Sequence, residues 1–215
     1  VKCLRWCDAI DSGNAALLKN LGIVYGRQGA LLDAVVCFSK IDRKAGPMIA
    51  GQALLEAQKY AEGVAAYRYA SMYFTGAEQW LALGGAAWFL EDDEIAAEAY
   101  GKAYELSGGR FDPSQLHAYA TSLNGAGLAK QAEPIATQLI QAAGNDATFF
   151  SCGVHHMARA LLAQRRAPEA VPYAERAVQI NPLPDNKKEF EETLDRARRN
   201  DPYPVKPLRS LRRET

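Results

Sequence analysis

The stretch 80–104, WLALGGAAWFLEDDEIAAEAYGKAY, decides how this chain folds. Its small residues Gly84 and Ala96 stand twelve positions apart, with Trp80, Leu83 and Ala87 around the first and Tyr100 and Ala103 after the second. The same interval recurs from Gly22 to Ala34, Gly51 to Gly63, Ala120 to Ala132 and Ala158 to Ala170. Successive units begin 29, 33, 36 and 38 residues apart. A constant interval inside each unit and a variable one between units describe helical hairpins of fixed geometry on connections of variable length. At the paired small positions the two helices cross so closely that only Gly or Ala fits. The large residues fill the space between helices. No hairpin buries its apolar face alone, so stacking supplies the core, and the usual work of such a stack is to bind other proteins.

The pattern resembles the tetratricopeptide repeat, W-x2-L-G-x2-Y, then A-x3-F, then P. Trp80, Leu83, Gly84, Ala87, Ala96, Tyr100 and Ala103 carry it in the quoted unit, and Leu18, Leu21, Gly22, Tyr25, Ala34 and Phe38 in the first. Val154, Met157, Ala158, Leu161, Ala170, Ala174, Ala177 and Pro182 carry it in the last. Two units are looser: Pro47, Ala50, Gly51, Leu54, Gly63, Tyr67 and Ala70, then Leu116, Tyr119, Ala120, Leu123, Ala132, Ala136 and Leu139. The resemblance covers residues 15–184 in about five repeats. It implies an all-α fold, a right-handed α-solenoid of stacked helical hairpins with a C-terminal capping helix.

The two ends suit that expectation. Residues 1–14 read as the second helix of a partial preceding hairpin, and a helix under way by Lys2 suggests sequence upstream of Val1. In 185–200, Phe190, Leu194 and Ala197 share one helical face and charge covers the rest, as a capping helix requires. Residues 201–215, with Pro202, Pro204 and Pro207 before Arg209, Arg212 and Arg213, read as an extended tail.

Of the 215 residues, 48% are hydrophobic and 23% charged, as in an ordinary folded protein. Lys and Arg number 25, as do Asp and Glu, so no excess of positive charge points to a nucleic acid. No apolar run has the length that spans a bilayer, so no membrane insertion is expected. Cys3, Cys7, Cys37 and Cys152 read as small buried or half-buried thiols in a reducing cytoplasm.

At about 100° per residue, template positions 2, 5, 9 and 12 of each first helix fall on one face. In the tetratricopeptide family that face lines the concave groove. The resemblance therefore implies a peptide-binding groove of Lys19, Ile23, Met48, Gln52, Leu55, Leu81, Gly85 and Trp88, continuing through His117, Thr121, Asn124, His155, Arg159 and Leu162. Arg27 and Phe89 fall at its border. The middle is apolar, with Trp88 as an anchor, and the C-terminal half is polar and partly basic. It suits an extended or helical peptide with apolar anchors. The family's clamp for acidic C-terminal tails needs Asn where this chain has Ile23, and polar groups where it has Ile49 and Ala82; that ligand is not expected.

His155 and His156 diverge by about 100° on a helix and do not grip one metal. His117 and His155 share a template position and are placed to face each other across the groove. With Cys152 they make an incomplete metal site, so neither metal nor cofactor is expected. Asp92, Asp93 and Glu94 read as a solvated acidic turn. No phosphate-cradling loop, nucleophile elbow or dinucleotide fingerprint appears, and no catalysis is expected.

The expected function is a non-catalytic scaffold or adaptor that holds a peptide or helix of a partner protein. Alternatives are a dedicated chaperone, such as a type III secretion translocator chaperone, or the docking part of a larger enzyme. Self-association stays open, since groove and end surfaces are exposed.

Overall fold

A computed structural model describes residues 14–41, 46–56 and 58–203; the expected partial helix before residue 14 and the tail after residue 203 lie outside the described residues. The described residues form α-helices with two short 3-10 turns and no strand. In chain order the helices are α1 (Ala15–Arg27), α2 (Leu31–Ile41), α3 (Gly46–Glu56), α4 (Tyr60–Ala70), α5 (Ala77–Phe89), α6 (Asp93–Leu106), α7 (Pro113–Gly125), α8 (Ala129–Ala142), α9 (Ala147–Ala163), α10 (Ala167–Ile180) and α11 (Lys187–Arg199). They gather into two compact units that divide between Asp92 and Asp93, inside the third sequence repeat.

Local signals set the helix starts. Asn14 accepts a hydrogen bond from the Leu17 amide to open α1, and Asp146 accepts from Thr148 and Phe149 to open α9. Asp112 and Gln115 cap each other's backbone at the start of α7, where Pro113 occupies the first helical position.

The turns obey a rule that the sequence does not display. Seven residues after the first small position of every repeat the backbone is left-handed: Gly29, Gln58, Glu91, Gly127 and Arg165, with φ between 55° and 74°. The next amide then reaches back five residues. Ala30 donates to the Tyr25 carbonyl, Lys59 to Leu54, Asp92 to Ala87, Leu128 to Leu123 and Arg166 to Leu161, at 2.8–3.0 Å. This is the six-to-one bond that closes a helix C-terminus around a left-handed residue. Glycine takes that conformation without strain, whereas a residue with a Cβ does not. Gln58→Gly should therefore stabilise the N-terminal unit by about 0.5–1 kcal/mol and Gly29→Ala should destabilise it by a similar amount, as urea midpoints would record.

In the N-terminal unit α1 pairs with α2 and α3 with α4, while α2 packs on α3, α1 on α3, and α4 on α5. Phe38, Leu21, Tyr25, Ala34, Cys37 and Ala50 form its core. The structure corrects the reason for glycine at two crossings. A Cβ on Gly22 would lie 2.7 Å from Cζ of Phe38, and one on Gly51 would lie 2.7 Å from Cδ2 of Tyr67. The occupant of each glycine's face is thus an aromatic ring sixteen residues on, not a backbone. Gly63 comes nearer the expected case, since its Cβ would meet the Gly51 carbonyl oxygen at 3.3 Å as well as the Leu55 side chain. Where the residue sixteen on is Ala136 or Ala174, the small position is Ala120 or Ala158. Small and large residues therefore exchange volume between the two helices of a repeat.

In the C-terminal unit α7 packs on α6, α8 and α9, and α9 packs on α8 and α10. Helix α11 lies against both α9 and α10. It buries Phe190, Thr193, Leu194 and Ala197 against residues that include Val154, Met157, Leu161 and Ala177. Asn200, left-handed at φ 55°, stops it.

Candidate functional site

Helices α3, α4 and α5 enclose an open trough of about 580 Å³ in the N-terminal unit. Met48, Gln52 and Leu55 come from α3, Tyr60 and Tyr67 from α4, and Glu78, Gln79, Leu81, Ala82, Gly85, Ala86 and Phe89 from α5. Its walls are apolar with a few polar groups, the usual make-up of a binding cleft. Gln79 fixes one side. Its side-chain oxygen accepts from the Thr75 and Gly76 amides, which holds the start of α5, and its amide donates to the Met48 sulfur at 3.3 Å. Phe89 is 65% exposed and stacks on Tyr60 with ring centroids 4.9 Å apart. Trp88 is 39% exposed and does not line the trough.

Five of the groove residues expected from the sequence thus meet in one place: Met48, Gln52, Leu55, Leu81 and Gly85. Lys19 and Arg27 are exposed on α1, and Ile23 packs against the core of Leu21, Tyr25 and Phe38; none of the three lines the trough. Sequence reasoning missed Tyr60 and Tyr67 because the register of first helices says nothing of what second helices contribute. It placed Phe89 at the border, whereas Phe89 is part of the lining.

In the C-terminal unit the expected His117, Thr121, Asn124 and Arg159 are half-buried and His155 is buried. His155 is 2% exposed, stacks on Phe190 at 4.2 Å, and has Nε2 3.0 Å from the Thr193 hydroxyl. The Arg159 side chain, 14% exposed, pairs with Glu189 at 3.1 Å and lies 4.5 Å from the centre of the Tyr203 ring. The sequence expectation that His117 faces His155 needs correction. His156 is the partner, with Nε2 3.0 Å from Nδ1 of His117 and 3.3 Å from Oγ1 of Thr121. Asn124 donates to the His156 carbonyl at 3.2 Å. The reason is rotation: one residue along α9 turns the side chain by about 100°, from α11 toward α7.

Electrostatics follow from burial. Burial, then the Arg159 charge and His117, hold His155 well below the ordinary imidazole value. Burial, then His117, His155 and Arg159, do the same for His156, and burial alone lowers His117. Burial pushes the Cys152 thiol up to about 11, so it is not a thiolate nucleophile at neutral pH. Among the described residues no group of three or more His, Cys, Asp or Glu side chains is disposed to hold a metal ion. None of their helices is long and apolar enough to cross a membrane.

Solved structures share this architecture, YrrB and MamA among them. The crystal structure of YrrB, a tetratricopeptide protein with an unusual peptide-binding site, superimposes with a TM-score of 0.60 at 15% identity, over 88% of this chain and 97% of YrrB. The crystal structure of MamA superimposes with a TM-score of 0.52, also at 15% identity, over 82% of this chain and 95% of MamA. No protein-family model and no curated protein matches the sequence. The chain therefore has the all-α tetratricopeptide solenoid fold.

Proposed function

We propose that this chain is a non-catalytic scaffold or adaptor that captures a helical or extended segment of a partner protein in the trough of its N-terminal unit. The observation that carries it is the apolar trough of about 580 Å³ with Phe89 standing 65% exposed over it. A large exposed aromatic stacked on Tyr60 is an anchor held in place before a partner arrives, which lowers the ordering cost of binding. The peptide-binding site of YrrB supports a peptide as the ligand class. A cytoplasmic setting suits the buried thiols of Cys37 and Cys152, which stay reduced there.

Selection of binding peptides from a displayed random library, followed by affinity measurement on variants of the whole chain, tests this. Phe89→Ala should weaken the selected peptides by about 2 kcal/mol, roughly thirtyfold, while leaving the helical signal intact. Trp88→Ala should weaken them less, since Trp88 does not line the trough. Leu81→Glu, which puts a charge on its floor, should abolish binding, and Val36→Glu on the exposed side of α2 should not. Peptides that bind Leu81→Glu as well as the parent would show that the trough is not the site.

A further inference from the structure

Consecutive histidines on α9 are tied to two different neighbours through the same device. His156 Nε2 meets Oγ1 of Thr121 on α7, and His155 Nε2 meets Oγ1 of Thr193 on α11. Each threonine has already spent its one proton. Thr121 donates to the His117 carbonyl at 2.8 Å, and Thr193 donates to the Glu189 carbonyl at 3.0 Å. Both hydroxyl oxygens must therefore accept, and both imidazoles must carry their hydrogen on Nε2. His156 shares that hydrogen with Nδ1 of His117, which accepts. The network thus assigns the neutral tautomer of each ring on α9.

A second proton is poorly placed on each ring; on His155 it would put a charge on a ring that is 2% exposed and stacked on Phe190. On His156 it would sit at Nδ1, which is buried without a hydrogen-bond partner. On His117 Nδ1 it would confront the His156 N–H across 3.0 Å. The surrounding charges offer little help. Arg159 on α9 itself is positive, and Glu189 of α11, 4.0 Å from His155 Nε2, is already paired with Arg159. Tyr203 covers Arg159 from beyond α11. From α8, Glu133 is committed to Gln164 and Arg166. From α10, Glu169 and Glu175 pair with Arg166 and Arg198.

We propose that His155 and His156 form an acid-sensitive clasp that fastens α7 and the cap α11 to α9 while neutral and releases the cap when protonated. Release uncovers Arg159 and His155, so acid opens a polar surface that α11 covers at neutral pH. Burial, which holds both rings well below the ordinary value of 6.5, supports the same direction. Above 6.5 the closed and open forms are both neutral; below it the open form takes up protons that the closed form refuses. The opening constant therefore rises as pH falls, about tenfold at pH 5.5 for each histidine exposed.

Hydrogen exchange of the full chain at pH 7.5 and 5.5, corrected for the intrinsic pH dependence of amide exchange, reads this directly. The opening constant of 187–199 should rise at least about tenfold between these pH values, whereas α1 to α5, in a unit without histidine, should not change. In the double variant His155→Gln, His156→Gln, which keeps an N–H donor toward each threonine but cannot titrate, the rise should vanish. Should that variant fail to fold, NMR of the parent decides: the ring signal of His155 should titrate together with loss of α11 protection. Constant protection of 187–199, an unchanged acid response in the double variant, or rings that titrate near 6.5 under a protected α11 would each overturn the clasp.

Discussion

Phe38→Ala should cost the N-terminal unit about 3–5 kcal/mol, among the largest losses that a core truncation brings. Phe38 is fully buried among Leu21, Tyr25, Ala34, Cys37 and Ala50, and its ring lies on Gly22. Removing the ring leaves a cavity beside a residue with no side chain to move into it. All three tryptophans fall before residue 93, so tryptophan fluorescence in urea reports on this unit alone. A double-mutant cycle exposes the cause. In the parent, Gly22→Ala drives a Cβ into Cζ and Cε2 of Phe38 at 2.7 and 2.8 Å, and overpacking of that kind costs about 1–3 kcal/mol. In the Phe38→Ala background the same methyl enters the cavity and should be neutral or stabilising. Strictly additive free energies would refute the ring-over-glycine account.

Phe190→Ala should destabilise the C-terminal unit by about 3–5 kcal/mol. The ring is buried with Val154 and Ala177 and stacks on His155. It is the largest apolar residue that α11 presents to α9 and α10, and the remaining buried residues of that face are Thr193, Leu194 and Ala197. Because the unit has no tryptophan, the loss is read by circular dichroism in urea together with exchange of 187–199. Amides of α11 should lose protection first and by the largest factor. A loss under about 1 kcal/mol, the scale of surface substitutions, would show that α11 adds no core to the unit.

The repeats were legible because volume is written directly in side chains. Small residues twelve apart, flanked by Leu and aromatic residues, read as crossing helices, and the apolar face of Phe190, Leu194 and Ala197 read as a cap by simple helical spacing. Part of the trough was legible too, since Met48, Gln52, Leu55, Leu81 and Gly85 share one face of successive first helices. The rest was not, neither the second-helix residues nor Gln79, Ala82 and Ala86 of α5. Tyr60 and Tyr67 reach it from α4, and periodicity within a helix carries no information on which neighbour a side chain meets. Thr193 and Glu189 escaped notice for the same reason, as did the partnership of His156 with His117.

By itself, then, the order of residues determined the class of fold and the spacing of its small and large residues, because burial of apolar area follows from local spacing. Tertiary structure alone decided three things. It bent Gln58, Glu91 and Arg165 into the left-handed turn that Gly29 and Gly127 adopt freely, since the six-to-one hydrogen bond outweighs the cost of a Cβ there. It laid rings of Phe38 and Tyr67 where glycine was required. And it turned two neighbouring histidines toward opposite helices, where the threonines they meet decide which nitrogen holds the proton.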